Sequence, residues 1–357
     1  MTDVLAGVVS LADFEPLAAA AMDPLAYDYV AGGAWDELTL ADNMAAWRRH
    51  RLRPRVLVDV SSVDTSTSML GCPVAMPVAI APMATQELAH PEAESAMARA
   101  AAAAGIPMIV STTASHSIEL VAAAAPDGMR WFQLYVQADE GITRSLVERA
   151  AAAGYGAIVL TVDLPVLGYR LRDRRSGFRL PFLGNFTEAV ATHGSHALDP
   201  QSSVMDELAT LTWADLERIR SWSPLPLVLK GVLTAEDAAL AVDHGADAIV
   251  VSNHGARQLD RVAATADVLG EVVDAVARRT EVWVDGGIRS GLDVAIARAL
   301  GAQGVLLGRP AYWALATAGA RGVEHALTIL REEFRLALIL LGTPTPAAIT
   351  GAHLAAG

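Results

Sequence analysis

Short apolar runs recur along the chain, each followed by a polar or glycine-rich turn and then by a helix-like segment. The runs lie at residues 77–81, 107–110, 130–134, 157–160, 227–229, 248–251, 282–284 and 304–307. They are strand-length and apolar throughout, as strands buried on both faces are. Between them the helix-like segments fall at 92–104, 118–125, 142–153, 213–222, 235–244, 267–278 and 292–300, with a last long one after Tyr312. Thr234, with Glu236 and Asp237 behind it, has the form of a helix N-cap, and Gly245 and Gly301 stand as helix stops. Eight strand–helix alternations predict an α/β fold with a parallel sheet, and the number eight predicts its closure into a (β/α)8 TIM barrel. A doubly wound open sheet is the alternative, but no G-x-G-x-x-G turn follows the first strand.

The whole chain, 1–357, reads as one domain. Residues 1–76 form a mainly helical N-terminal extension that closes on an Arg-rich segment from Arg48 to Arg55. The one long irregular stretch, 172–211, carries Pro, Gly, His and Phe and is expected to be a lid loop over the barrel mouth. A hydrophobic content of 53% with 19% charged residues belongs to a compact globule. No apolar stretch reaches membrane-spanning length, and Met1-Thr2-Asp3 has no basic signal region. Cys72 stands alone beside Pro73, so no internal disulfide is expected and a reducing cytoplasm fits; the thiol reads as a small inert hydrophobe. A formal net charge of −13 argues against nucleic acid and anionic membranes as partners. It also leaves any small anionic substrate to be held by a local group of arginines.

The chemistry of such barrels lies at the C-terminal ends of the strands. Read there in order, the chain offers Met83 and Ala84; Ser111 and Thr113; Gln133 and Tyr135; Thr161 and Asp163; Lys230; Ser252 and His254; Asp285, Gly287 and Arg289; and Gly308 with Arg309. Lys230 is the only lysine among 27 basic residues, and it ends the apolar run at 227–229. A lone ammonium there is an ion-pair partner or a point charge that a guanidinium cannot replace. Loops after the last two strands form the common phosphate site of these barrels, and the Gly–Arg turns at Gly287/Arg289 and Gly308/Arg309 suit that role better than plain tight turns do. Of nine histidines only His254 directly follows a strand, where it can act as a base or serve as a satisfied turn residue. Asp163 could hold its protonated form. Arg170 and Arg257 could clamp a carboxylate beside that base. His193 and His196 have no third ligand in view, so no metal is expected.

The segment Ser252-Asn-His-Gly-Ala-Arg-Gln-Leu-Asp260 resembles the signature of the FMN-dependent L-2-hydroxy acid oxidising family, which includes glycolate and lactate oxidases and mandelate dehydrogenase. Tyr27-Asp-Tyr29, Ile80-Ala-Pro82, Gln133-Leu-Tyr135, Thr161-Val-Asp163, Leu229-Lys-Gly231 and Asp285-Gly-Gly287 carry the resemblance along nearly the whole chain. It implies FMN as cofactor and His254 as the base, taking the α-proton or, in hydride transfer, the hydroxyl proton. It implies Asp163 as the partner of that base, Tyr135 beside the substrate hydroxyl, and Arg170 and Arg257 on the carboxylate with Tyr27 assisting. Lys230 would meet the flavin N1/O2 edge, where reduction places negative charge. Met83, Ala84, Ser111, Gln133, Thr161 and Ser252 would contact the ring or ribityl chain. Asp285, Gly287, Arg289, Gly308 and Arg309 would contact the ribityl chain and phosphate.

Where short-chain glycolate oxidases carry Trp, this chain has Thr113, which implies a wider pocket. The resemblance is strongest to members that oxidise (S)-4-hydroxymandelate to 4-hydroxyphenylglyoxylate, with O2 reduced to H2O2, for antibiotic biosynthesis. It further implies a cytoplasmic homo-tetramer. The alternative is a lactate or mandelate dehydrogenase with a non-oxygen acceptor.

Overall fold

A computed structural model of the chain describes residues 3–181, 183–186 and 211–355. Its ten strands are β1 (Thr67–Met69), β2 (Cys72–Val74), β3 (Val78–Ile80), β4 (Met108–Val110), β5 (Arg130–Leu134), β6 (Ile158–Thr161), β7 (Leu227–Val232), β8 (Ala248–Val251), β9 (Glu281–Val284) and β10 (Gly304–Leu307). Strands β3 to β10 pair in parallel in sequence order, and β10 returns to β3 to close the barrel. All eight predicted strands are present, and helices separate them as expected.

The two-residue period of a strand sorts its side chains between helices and barrel axis. Val78, Ile80, Phe132, Leu134, Leu227 and Leu229 join the large cluster shared with the outer helices. Their neighbours Ala79, Ile109, Trp131, Val159, Val228, Val250, Trp283 and Leu306, one from each strand, fill the interior. Trp131 and Trp283 stack there at 4.9 Å with their planes 9° apart. Met69 and Val74, from a hairpin of β1 and β2, join the same interior cluster.

That hairpin changes the expected N-terminal extension. Helices run Phe14–Ala21, Pro24–Ala31 and Leu38–Arg49, and the chain then becomes irregular before β1. Two three-residue strands turning at Leu70 and Gly71, both at positive φ, are too short to show a period. A second difference concerns Lys230, which lies inside β7, since the strand continues to Val232 through a register shift against β8. Gly231 has φ +117, and a Cβ there would lie 2.6 Å from the Asp163 side chain, so only glycine fits this shift.

Part of the expected lid is fixed structure. Its first turns form the helix Leu171–Ser176, and Gly184–Phe186 make a buried turn. The Asn185 side chain donates to the carbonyls of Ser111 (3.2 Å) and Thr112 (2.9 Å). Residues 187–210, with His193 and His196, lie outside the described residues. The last helix, Arg309–Leu341, is interrupted at Ala318 and Gly319. No helix among the described residues is long and apolar enough to cross a membrane.

Candidate active site

The polar rim is the next inward-facing layer above the barrel's apolar interior. Two residues beyond Ile109, Trp131, Val159, Val228, Val250, Trp283 and Leu306 stand Ser111, Gln133, Thr161, Lys230, Ser252, Asp285 and Gly308. Six strands thus turn from apolar to polar without changing face, while β10 leads to Gly308 and β3 leads from Ala79 to Ala81. The rim is internally bonded. Ser111 Oγ donates to Gln133 Oε1 at 3.2 Å, and Gln133 Nε2 donates to Thr161 Oγ1 at 3.1 Å. Lys230 Nζ donates to Ser252 Oγ at 2.9 Å and pairs with Asp285 Oδ2 at 3.2 Å. Burial pushes the Lys230 ammonium down, but Asp285 and Asp163 outweigh it and hold its pKa above the ordinary lysine value. Lys230 is therefore a charged group in a dry layer. Asp285 Oδ1 is buried with no hydrogen-bond partner among the described residues.

His254 leaves β8 in a left-handed conformation. His254, Gly255 and Ala256 have φ of 60°, 61° and 64° in succession. Such φ values cost a non-glycine residue of order 1–3 kcal/mol each and persist only where surrounding bonds impose them. Here Ser252 Oγ accepts from His254 N (3.1 Å) and Asn253 Oδ1 accepts from Ala256 N (3.1 Å). The turn aims the imidazole between two partners. Its Nδ1 lies 2.8 Å from Asp163 Oδ1, and its Nε2 lies 3.4 Å from Tyr135 Oη. A carboxylate at Nδ1 accepts a hydrogen bond from the ring N–H, which fixes the proton there and leaves the lone pair on Nε2. Burial pushes the His254 pKa down, and Lys230 and Arg170 add to this; Asp163 opposes them without reversing the shift. Burial raises the Asp163 carboxyl, but His254 and Lys230 outweigh that and hold it below the ordinary value. The imidazole is neutral at neutral pH, and the carboxylate beside it is charged.

Above this pair, Arg170 Nε donates to the Arg257 carbonyl at 3.2 Å. Arg257 Nη1 donates to the carbonyls of Tyr29 (2.5 Å) and Gly32 (3.0 Å), and its guanidinium lies 4.7 Å over the Tyr29 ring. Burial, with Arg257 beside it, pushes the Arg170 pKa down to about 10, which leaves it charged at neutral pH. Arg170, Arg257, Arg289 and Arg309 all line one cavity, and none of the ion pairs among the described residues includes them. In a protein of net charge −13, four buried or half-buried guanidiniums that line one cavity outside any direct ion pair mark a site for anions.

The predicted residues divide into three groups. Met83, Ala84, Ser111, Thr113, Tyr135, Thr161, Arg170, Lys230, His254, Arg257, Asp285, Gly287, Arg289, Gly308 and Arg309 line the cavity. Gln133, Ser252 and Asp163 sit behind its wall and bond to residues that line it. Tyr27 belongs to neither group. Its hydroxyl donates to Glu15 Oε1 at 3.3 Å and its ring packs 5.1 Å from Trp313. Two residues along an α-helix turn by about 200°, so within Pro24–Ala31 it is Tyr29 that faces the cavity. Arg309 lines the cavity but gives three donors to the carbonyls of Val30, Gly255 and Gly32, at 2.9, 3.0 and 2.8 Å. Two of its five N–H groups remain for a ligand.

Sequence reasoning expected helices before the barrel but missed that one of them, Leu38–Arg49, supports the site. Trp47 Nε1 donates to the Gly286 carbonyl at 2.7 Å, and Asn43 bonds to Asn253. A Cβ on Gly287 (φ 87°) would lie 2.1 Å from the Asn43 carbonyl oxygen, so this turn needs glycine to pass the helix. Among the described residues no cluster of three His, Cys, Asp or Glu could hold a metal.

These residues fit FMN. The buried Lys230 offers a cation to the electron-accepting edge of a flavin, Asp285 Oδ1 lacks a donor that a ribityl hydroxyl supplies, and the Gly286–Arg289 and Gly308–Arg309 turns present N–H groups and cations for a phosphate. Comparison with known proteins agrees. The family model described as FMN-dependent dehydrogenase matches residues 18–356. An L-lactate oxidase from Nostoc sp. is 50% identical over 345 residues, 94% of each chain. Glycolate oxidase 1 of Oryza sativa subsp. indica is 46% identical over 355 residues, covering 97% of this chain and 95% of that one. A crystal structure of mandelate oxidase with (S)-4-hydroxymandelic acid superposes with a TM-score of 0.89 at 45% identity, over 97% of this chain and 98% of that one. Matched along almost its whole length in sequence and in backbone, the chain belongs to the FMN-dependent dehydrogenase family.

Proposed function

We propose that this FMN-dependent 2-hydroxy acid oxidase takes an aromatic substrate, (S)-4-hydroxymandelate, and yields 4-hydroxyphenylglyoxylate with O2 reduced to H2O2. The observation that carries the aromatic reading is Thr113. It is a small side chain on the cavity wall, where an indole would fill the space, and Met83, Leu164, Leu167 and Leu180 supply apolar surface to the same cavity. The similarity to mandelate oxidase supports it.

In this reading Arg170 and Arg257 hold the substrate carboxylate, with Tyr29 in the place expected of Tyr27. The α-carbon and its hydroxyl then face His254 Nε2, with the Tyr135 hydroxyl beside the substrate hydroxyl. His254 accepts the proton at Nε2, and Asp163 stabilises the imidazolium so formed. FMN, when bound, supplies the two-electron acceptor. Lys230 would offer that acceptor a positive charge as it gains electron density.

L-Lactate is the second reading, favoured by the 50% identity to an L-lactate oxidase. Oxygen uptake and peroxide formation, measured with 4-hydroxymandelate, mandelate, L-lactate and glycolate, test both. A kcat/KM at least tenfold higher for 4-hydroxymandelate than for L-lactate is expected. The reverse order overturns the aromatic assignment. Rapid flavin reduction without oxygen uptake would assign a different electron acceptor.

A further inference from the structure

The turn that carries His254 is held by a residue from the other end of the chain. Ala256 N, in the left-handed segment, donates both to the Asn253 carbonyl at 3.0 Å and to the Oδ1 of the Asn253 side-chain amide at 3.1 Å. That amide is itself held by Asn43. Asn43 Nδ2 donates to Asn253 Oδ1 at 2.9 Å, and Asn253 Nδ2 donates to Asn43 Oδ1 at 2.8 Å. Both residues are buried, at 2% and 3% exposure. In a reciprocal amide pair the two groups turn only together, because turning one over alone sets donor against donor. Thr265 N donates to Asn43 Oδ1 at 3.4 Å and Asn253 Nδ2 also donates to the Ala263 carbonyl at 3.3 Å, so Asn43 and Ala263 together set the direction of the clip.

Asn43 is well placed to serve as a fixed reference. Its helix, Leu38–Arg49, is docked at both ends. At the start, Asp260 Oδ1 accepts from Thr39 N at 2.8 Å and Oδ2 accepts from Asp36 N at 3.2 Å. Near the end, Trp47 holds the Gly286 carbonyl. Asn43 itself does not line the cavity.

We propose that Asn43 is a positioning residue for the base: through Asn253 it fixes the left-handed turn that aims His254 Nε2 into the cavity. This rests on the reading of His254 as the base. The strained φ values supply the physical reason. A histidine held at φ 60° relaxes toward the ordinary region once its restraint is removed, and the imidazole moves with it. The substrate clamp, Arg170 and Arg257, shares no hydrogen bond with Asn43. Loss of Asn43 should therefore slow proton removal without loosening substrate.

The test uses the full-length, FMN-loaded protein and follows flavin reduction anaerobically with whichever 2-hydroxy acid it turns over. Asn43→Ala is expected to slow reduction roughly 10- to 100-fold, since a misplacement of about 1 Å can cost about 10²-fold. The substrate Kd should stay within about threefold, the split that a lost aim predicts. Asn253→Ala should behave alike, and the double variant should be no slower than the slower single one, because both act through one contact. Arg49→Ala on the same helix removes only an exposed pair with Asp267 and should leave the rate unchanged. Where Asn43→Ala does not accumulate, Asn43→Ser also lacks the reciprocal pair and should show the same loss. Wild-type reduction by the Asn43 variant, or multiplied effects in the double variant, overturns the inference. His254→Asn, run alongside, separates the two ideas: if it too reduces flavin normally, the base assignment fails and the positioning role falls with it.

Discussion

Asp163 holds His254 Nδ1 through one carboxylate oxygen at 2.8 Å, while its other oxygen, Oδ2, is buried with no hydrogen-bond partner among the described residues. One oxygen orients the ring. The other keeps negative charge close by, which lowers the cost of an imidazolium when a proton arrives. In the proposed mechanism the pair suits a base that is neutral at rest and charged only in turnover.

His254→Asn should give a folded protein that still binds FMN but reduces it at least about 10²–10⁴ times more slowly, the usual contribution of a positioned base. Anaerobic bleaching of the flavin checks this. A near-normal rate would remove His254 from the mechanism.

The pH dependence follows from the direction of the His254 shift. Burial, aided by Lys230 and Arg170, depresses the folded pKa below the ordinary value of about 6.5. The neutral form is the working form, so kcat/KM should rise with pH through a pKa below that value. The same shift affects stability. A depressed folded pKa contributes stability that is fully present above the unfolded pKa and is lost as pH falls through the folded one. Asp163, also depressed, acts in the same direction at lower pH. A pH profile of kcat/KM with its acid limb centred above 6.5 would show that Asp163 outweighs burial.

Lys230→Met should lower the flavin midpoint potential and weaken sulfite adduct formation more than it weakens substrate binding. The substitution keeps the bulk of the side chain but removes the cation paired with Asp285. Breaking a buried pair on one side commonly costs about 3–5 kcal/mol of stability, so Tm should fall too. A lower Tm with an unchanged potential would make Lys230 a structural ion-pair partner alone.

Thr113→Trp should turn preference from mandelates toward glycolate and lactate. Thr113 is buried on the cavity wall, with Oγ1 3.0 Å from Ser111 Oγ. Overpacking a fixed site costs about 1–3 kcal/mol, or roughly 5- to 150-fold in kcat/KM for a substrate with a ring. Glycolate has no ring to clash and keeps its contacts with Arg170 and Arg257. The quantity to compare is the ratio of kcat/KM for 4-hydroxymandelate and glycolate in the two proteins. An unmoved ratio would place aromatic selectivity elsewhere.

Much of this was legible in the sequence for one reason. Barrel strands alternate faces, so a polar residue two positions past a buried apolar one must enter the same interior. Reading the strand ends located Ser111, Gln133, Thr161, Ser252 and Asp285, and this period explains why they share one interior. It did not apply to helices, where spacing of two reverses the face, and Tyr27 was expected where Tyr29 stands. Asn43 and Trp47 lay beyond reach for a different reason. Their partners are 210 and 239 residues away, and an amide pair leaves no local periodic signal. The β1–β2 hairpin escaped because three residues do not make a period.

The stacked pair Trp131 and Trp283 sits in the barrel interior, one inward-facing layer below Gln133 and Asp285. Two fully buried indoles held parallel beneath a flavin-binding site form a natural optical reporter. Their emission falls in a range that oxidised flavin absorbs, and energy transfer over so short a path is efficient. Cofactor entry should therefore dim the protein's own fluorescence, and cofactor loss should restore it. Occupancy could then be read in real time without label, chromophore extraction or turnover.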